Sequence, residues 1–465
     1  MSLPVAVVHT GTANLASVLA GLKRADAQPT VTRDPAIVRR APRVVLPGVG
    51  TFRAAMDALK GGLDEALRQR IAADLPTLGV CVGHQVLFAA SEESPGVAGL
   101  GIFPGTVARF PATVRVPQIG WNRVVLATAD GALASAHACF SNSFAATAVP
   151  EGVGAAYSHH GHETVAAVER GALLGLQFHP ELSGAFGHRV LGRWLERGRL
   201  GLLPDPPRAW CESATAMTRR VIPCLDCRDG RVVKGVRFRS LRDSGDPVEL
   251  ATAYEAQGAD EIVLLDISAT PEVRSHHLDT VRAVRERLAI PLTCGGGVRT
   301  AEDAQALLEA GADMVAINTA AVERPALIGE IAARFGSQCT VLALDAAPRD
   351  SGWEVVIRSG VEHTGRDALA WAGEGVRRGA GEVLLTSWDR DGTRAGYDLD
   401  LIRAVAETIS VPVVASGGAS SGEHLAEALA AGADAVLAAS IFHDGDTTVG
   451  AIKANLADRD FPVRP

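Results

Sequence analysis

Cys81 stands in "GVCVGHQ" (79–85), directly after the apolar stretch "LPTL" and before "QVLFAA". A strand that turns sharply into a helix exposes the side chain at its elbow and sets it near the positive end of the helix dipole; both effects favour a thiolate. Gly79 and Gly83 allow the tight backbone, and the N–H of Val82 points where an oxyanion would form. A thiolate nucleophile also needs a base. "QFHPEL" supplies His179 at the end of the apolar run "LLGLQF", with Glu181 two residues on to orient the ring. A third piece is "LPGVG", where Gly48, Val49 and Gly50 form a loop whose N–H groups complete an oxyanion hole.

A second set lies further along the chain. Asp226 in "PCLDCRDG" matches Asp345 in "LALDAAPRDSG", and two carboxylates in symmetric positions suit a general acid and a general base. "TCGGGV" and "ASGGAS" each bring glycines to a strand end before a helix, so that N–H groups cradle a phosphate. Two such cradles predict a substrate with two phosphates. "CLDC" at 224–227 is formally a CxxC, but no second pair or nearby histidine completes a zinc set, and neither a metal nor a cofactor is expected. His159–His160 and His276–His277 lie in polar stretches and read as solvated or loop-packing residues.

These groups need elements to position them, and the 465 residues suffice for several domains of roughly 150 residues. Apolar residues make up 47% and charged residues 21%, enough for sizeable cores. Up to residue 200, apolar strands alternate with helical segments such as "NLASVLAGLKRA", where Leu15, Val18, Leu19 and Leu22 share one face. Residues 201–217, with three prolines and no period, read as a linker that ends at a methionine, the start of an older separate chain. From 218 to 465, short apolar strands alternate with helices, which predicts a closed (β/α)₈ barrel, with an open doubly wound sheet as the other solution. This part repeats itself with a shift of 121 residues, Glu261 against Glu382, Gly297 against Gly418 and Asp313 against Asp434. A doubled half-barrel follows.

Net charge is −8 with no concentrated basic stripe, which argues against nucleic acid as a partner. An anionic substrate must then be held locally, against the global field. No run of about 18 apolar residues suggests a membrane span, and the N-terminus lacks a basic signal-peptide region. Seven scattered cysteines, an odd count, fit a reducing compartment, and a cytoplasmic location is expected.

The order LPGVG, GVCVGHQ, HPE resembles the class I glutamine amidotransferase domain over about the first 200 residues. The resemblance implies that Cys81 attacks the side-chain amide of glutamine, that His179 shuttles the proton and Glu181 holds it, and that Gln85 and Glu93 contact the glutamine. "HTGTANLASV", "LPGVGTF", "ESPGVAGLGIFPGTV" and "IGWN" are similar to the amidotransferase part of the imidazole glycerol phosphate synthase family. "PCLDCRDGRVVKGVRF", "LRDSGDPVELA", "LLDISAT", "INTAAVERP", "TSWDRDGTRAGYD" and "ASGGAS" resemble its cyclase part along nearly all of 218–460. That likeness makes Asp226 and Asp345 catalytic. It places one phosphate at Gly297, Asn318 and Thr319, and the other at Asp391, Gly392, Gly418, Ala439 and Ser440, with Lys234 on the first loop closing over the ligand. The substrates implied are small molecules, glutamine and a bisphosphate ribotide, with the glutaminase partner supplied in cis. Two other readings stay open: a glutaminase-like scaffold on an ammonia-dependent cyclase, and a phosphoribosyl isomerase-like barrel.

Three positions depart from the family pattern. A ring of Arg, Glu, Lys and Glu that guards the N-terminal end of the barrel as an ammonia gate corresponds to Arg220, Glu261, Met314 and Glu382, so the ring loses a cation. The lysine after HPE is Leu182, which leaves Asp313 without that partner, and Asn142 stands where the pattern has His. All three fall at or near the expected domain interface. The expectation is that a covalent linker of roughly 17 residues relaxes the need for ion pairs there.

Overall fold

The structure is a computed structural model that describes residues 2–11, 15–48, 50–206, 217–236, 239–267, 274–358 and 360–465. The chain divides into two compact units: Met1–Val114 with Gln118–Met217, and Thr218–Pro465 with the tripeptide Arg115–Pro117. Among the described residues no helix is long and apolar enough to cross a membrane.

The first unit is built on a nine-stranded mixed sheet. Its parallel half runs β2 (Ala27–Thr32), β1 (Leu3–Val8), β3 (Val44–Leu46), β4 (Thr77–Val80) and β12 (Leu173–Leu176). The antiparallel half continues through β11 (Glu163–Arg170), β10 (Gly154–His159), β7 (Gln118–Ala127) and β8 (Ala134–Asn142). Val5, Val7, Val44, Val45, Leu78 and Val80 are buried, as expected of unbroken apolar strands covered on both faces. The helix Leu15–Arg24 covers one face with Val18 and Leu22 buried and Leu15 and Leu19 packed beside them. A small sheet of β5 (Phe88–Ser91), β6 (Phe103–Arg109) and β9 (Phe144–Ala145) lies off the main one.

Two sequence expectations change here. "QVLFAA" does not continue as a helix: Val82–Gln85 makes a single turn, and β5 follows. The carbonyls of Val86, Leu87 and Ala89 accept from the amides of Leu100, Phe103 and Gly99, so the chain downstream captures groups a helix would have used. The linker also starts later than 201. Glu169 Oε1 accepts from the amides of Gly201 and Leu202, its Oε2 from Gly201, and Leu203 N–H donates to Ala127 O at 2.9 Å, which sews these residues to the first unit.

Arg70 shows how tightly this unit is tied. It is wholly buried, among the described residues no carboxylate pairs with it, and its guanidinium donates to Thr77 Oγ1 and to the carbonyls of Val38, Ala41, Pro42 and Pro76. Burial pulls its pKa down to about 10, yet the group stays charged at neutral pH. Arg70→Leu leaves these carbonyls without their donor in a dry interior, and is expected to lower the stability of this unit by about 3 kcal/mol. Calorimetry on the full chain checks it; an unchanged transition would contradict the assignment.

The second unit closes into a barrel. Eight parallel strands follow one another around it: β13 (Arg220–Arg228), β16 (Ile262–Asp266), β17 (Leu292–Gly295), β18 (Met314–Ile317), β19 (Thr340–Pro348), β22 (Glu382–Ser387), β23 (Val413–Ser416) and β24 (Ala435–Ala438). β24 pairs back onto β13 through Arg220↔Ala435 to Pro223↔Ala438, which rules out the open sheet. The internal repeat is visible in detail. The first and fifth barrel strands are each followed by an antiparallel pair, β14 (Arg231–Val236) with β15 (Arg239–Gly245), and β20 (Trp353–Ile357) with β21 (Glu362–Asp367). Asp313 accepts from Leu292 N–H at 2.8 Å, and Asp434 accepts from Val413 N–H at 2.9 Å, the same bond one repeat later.

Candidate active sites

Cys81 sits between β4 and the single helical turn with φ +51° and ψ −111°, a region a non-glycine residue occupies only when its surroundings force it there. Its N–H donates to Leu176 O at 2.7 Å, and its carbonyl accepts from His84 and Gln85. Glycine is required around it. A Cβ on Gly48 would lie 2.3 Å from Val82 N, one on Gly79 2.5 Å from Gly83 O, and one on Gly83 2.1 Å from Leu46 O. The 46–50 loop is thus laid directly against the elbow; Gly50 has φ +97°, and Val49 lies outside the described residues.

His179 Nδ1–H donates to Glu181 Oε1 at 2.8 Å, which leaves Nε2 for the sulfur. Burial by itself would lower the imidazole pKa, but the charges of Cys81 and Glu181 reverse this and hold it well above its ordinary value. All three residues are buried. Ser183 fastens the HPE turn, donating to His179 O at 2.6 Å and accepting from Cys139 N–H on β8 at 2.9 Å. Cys81 Sγ faces Ser141 O at 3.9 Å and Gln177 Nε2 at 3.8 Å. The arrangement brings a thiol, an imidazole and a carboxylate together in one buried cluster, the groups a covalent mechanism needs.

The other predicted residues of this unit are placed as follows. Gln85 donates to Phe144 O at 2.8 Å and Gln177 Oε1 at 3.1 Å. Glu93 accepts from Phe52 N–H at 2.6 Å, anchoring the helix Phe52–Ala58 that follows the 46–50 loop, and burial raises its pKa. Asn142 is buried and donates to Phe144 O at 3.0 Å, and Leu182 is buried in the HPE turn. Of the two readings of His160 packing holds: it is buried edge-on against Phe110 at 4.8 Å. The side chains of His276 and His277 lie outside the described residues.

In the barrel, Asp226 and Asp345 line one cavity of about 660 Å³ at the C-terminal ends of β13 and β19. This size suits a small-molecule ligand. Burial first, and then the nearby charge of Asp391, push both carboxyl groups up to about 7. Asn318 Nδ2 donates to Asp345 Oδ2 at 2.8 Å, and Cys224 Sγ lies 3.6 Å from Asp226 Oδ1. Two acids poised at neutrality can give and take protons at opposite ends of one substrate.

The glycine cradles line the same cavity. Gly296 and Gly297 (φ +98° and +69°) correspond by the repeat to Gly417 and Gly418 (φ +94° and +98°). Thr319, Gly392, Ala439 and Ser440 also border it. Asn318 and Asp391 line the cavity too. The N–H of Asp391 donates to Ser387 O at 3.0 Å, and its charge acts on Asp226 and Asp345. Asn318 Nδ2 gives one of its two N–H groups to Asp345. The side chain of Lys234 lies outside the described residues. Sequence reasoning missed Arg299, Arg358, Arg394 and His443 on the cavity wall. Cys224 could have been found, since two residues' spacing on a strand puts it on the face of Asp226.

Comparison with known proteins finds a family match in each of the two units. The glutamine amidotransferase class-I family matches residues 8–196, and the histidine biosynthesis protein family matches residues 220–448. Imidazole glycerol phosphate synthase subunit HisF of Mycobacterium tuberculosis strain H37Ra is 55% identical over 258 residues, covering 54% of this chain and 97% of that protein. The subunit HisF of Mycobacterium bovis BCG Pasteur 1173P2 matches at the same identity and coverage. The chain belongs to the imidazole glycerol phosphate synthase family. It joins an amidotransferase domain and a HisF-like barrel in one polypeptide.

Against that family pattern two of the three departures take definite form. At the N-terminal ends of the barrel strands Arg220 bridges both glutamates, at 2.7 Å to Glu261 and in direct contact with Glu382. Thr293 adds a hydroxyl to Glu261 at 2.6 Å, and Met314 is buried nearby in sequence order on β18. The missing lysine therefore does not leave the glutamates unbound: one arginine serves two carboxylates, and burial raises Glu382 to about 7. Asp313 likewise has a cation, Arg285, at 2.5 Å in the interior of the barrel unit, so the expected gap is filled from within.

Proposed function

We propose that this family member is a glutamine-dependent imidazole glycerol phosphate synthase of histidine biosynthesis. The thiolate of Cys81 attacks the side-chain amide carbon of glutamine, and the 46–50 loop with Val82 N–H receives the oxyanion. His179, held by Glu181, passes its proton to the departing nitrogen and NH₃ leaves; water then releases glutamate. Gln85 and Glu93 contact the glutamine. Neutral NH₃ is conveyed inside the molecule past Arg220, Glu261, Met314 and Glu382, because in water at neutral pH it would be protonated and lost as a nucleophile. In the barrel it meets phosphoribulosyl formimino aminoimidazole carboxamide ribotide. The phosphates rest on the cradles at Gly297 and Thr319 and at Gly392, Gly418, Ala439 and Ser440, with Lys234 closing over the ligand. Asp226 and Asp345 assist imine formation, release of the carboxamide ribotide and ring closure.

The observation that carries this reading is the coexistence, in one chain, of a buried Cys–His–Glu set and a pair of carboxyl groups held at about 7. Glutamate and imidazole glycerol phosphate measured together test it. Matched yields with the ribotide, and near silence without it, are expected; glutamate release that ignores the ribotide would overturn the coupling.

The paired pKa values predict a pH profile. One carboxyl must carry a proton while the other does not, so cyclisation at constant free NH₃ peaks near neutrality and falls on both sides. Asp391→Asn removes a like charge, both carboxyls ionise more readily, and the peak moves to lower pH by about one pH unit. An unmoved peak would mean that Asp391 does not bear on the pair.

A further inference from the structure

Gln177, two residues ahead of His179, is buried at 1% exposure and has no part in the chemistry above. Its side chain belongs to a string of amides that ends on the nucleophile. Gln85 Nε2 donates to Phe144 O at 2.8 Å and to Gln177 Oε1 at 3.1 Å, and Gln177 Nε2 reaches Cys81 Sγ at 3.8 Å. The direction of this string is fixed from its far end. A backbone carbonyl can only accept, so Gln85 must present its NH₂ group; Gln177 must then turn its oxygen to Gln85 and its NH₂ to the sulfur. On another side of the sulfur, Ser141 O at 3.9 Å is an acceptor and suits a thiol. A donor suits a thiolate.

We propose that Gln177 is a positioning residue for the nucleophile: its amide donates to Cys81 Sγ, holds the sulfur beside His179 and favours its charged form. The inference rests on the glutaminase reading of this site, and alkylation of the sulfur tests it without any glutamine chemistry.

The experiment uses the full chain and two variants, Gln177→Met, which keeps the length but removes the donor, and Gln177→Glu, which puts a carboxylate beside the sulfur. Iodoacetamide labelling of the Cys81 peptide is followed by mass spectrometry at pH 7, together with glutaminase kcat and KM. Labelling is expected to slow ~10-fold in Gln177→Met and further in Gln177→Glu, with kcat falling in step and KM changing less than about twofold. Cyclisation with external ammonia stays at the wild-type rate, which shows that the barrel is intact. Unchanged labelling, or a raised KM with kcat preserved, would overturn the proposal. Should both variants fail to fold, Gln85→Met carries the test, since it frees the Gln177 amide to turn; labelling at the wild-type rate in that variant would also overturn it. A wild-type chain that releases no glutamate while the variants still label slowly would refute the glutaminase reading and leave the role of Gln177 standing.

Discussion

Cys81→Ala makes no imidazole glycerol phosphate from glutamine but cyclises at the wild-type rate when ammonia is supplied. The loss with glutamine is expected to reach about 10⁴-fold or more, because no other group can form the covalent intermediate and removing a nucleophile disables the whole constellation at once. The substitution is structurally mild. Alanine keeps the Cβ and the backbone bonds to Leu176, His84 and Gln85, and loses a sulfur that lies 3.9 Å from the Ser141 carbonyl and 3.8 Å from the Gln177 amide. The strained φ of +51° is retained, so the elbow and the 46–50 loop laid on it keep their shape. Assaying both nitrogen sources on one preparation separates the two chemistries. Retained glutamine-dependent synthesis would show that the first domain is only a scaffold, and lost ammonia-dependent synthesis would show that the barrel needs an intact elbow.

The opposite pattern is expected of Asp345→Asn. Product formation falls by about 10³-fold with either nitrogen source, within the range by which a positioned acid or base accelerates a reaction. Asparagine is nearly isosteric and can still accept the bond from Asn318 Nδ2 through its side-chain oxygen, so the cavity wall survives. What disappears is a group that titrates at about 7. Asp226→Asn is the companion, and both single variants should lose the bell-shaped pH profile, because each removes one of its two limbs. Glutamate release by the first domain with the ribotide bound reports that the acceptor site is still occupied. Wild-type product formation in either variant would assign acid–base work to another residue, with Asp391 the first to examine since it shares the cavity.

Much of both sites was legible because the chemistry is written in short, local signals. Glycines at 48, 79 and 83 stand where a Cβ would strike backbone within 2.5 Å, and that need is a property of the turn itself. The spacing from His179 to Glu181 is short enough for a direct hydrogen bond, found at 2.8 Å. The repeat predicted a doubled barrel, and the matching bonds of Asp313 and Asp434 to the strands before them show the duplication in the backbone. "QVLFAA" misled, since apolar residues in a short run fit helix and strand equally well, and the choice was made by Gly99, Leu100 and Phe103, which lie further along the chain.

The sequence by itself determined the candidate residues for the chemistry, the order of elements that presents them, and the membership of two domains in one family. Only the tertiary structure decided where buried charges find their partners. Nothing near Arg70 in sequence marks out all its carbonyl acceptors, nothing around Asp313 points to Arg285, and nothing about Met314 reveals that Arg220 bridges both Glu261 and Glu382. The reason is physical: the cost of burying an ion rests on whichever groups the fold brings within a few ångströms, and those come from strands and helices distant along the chain.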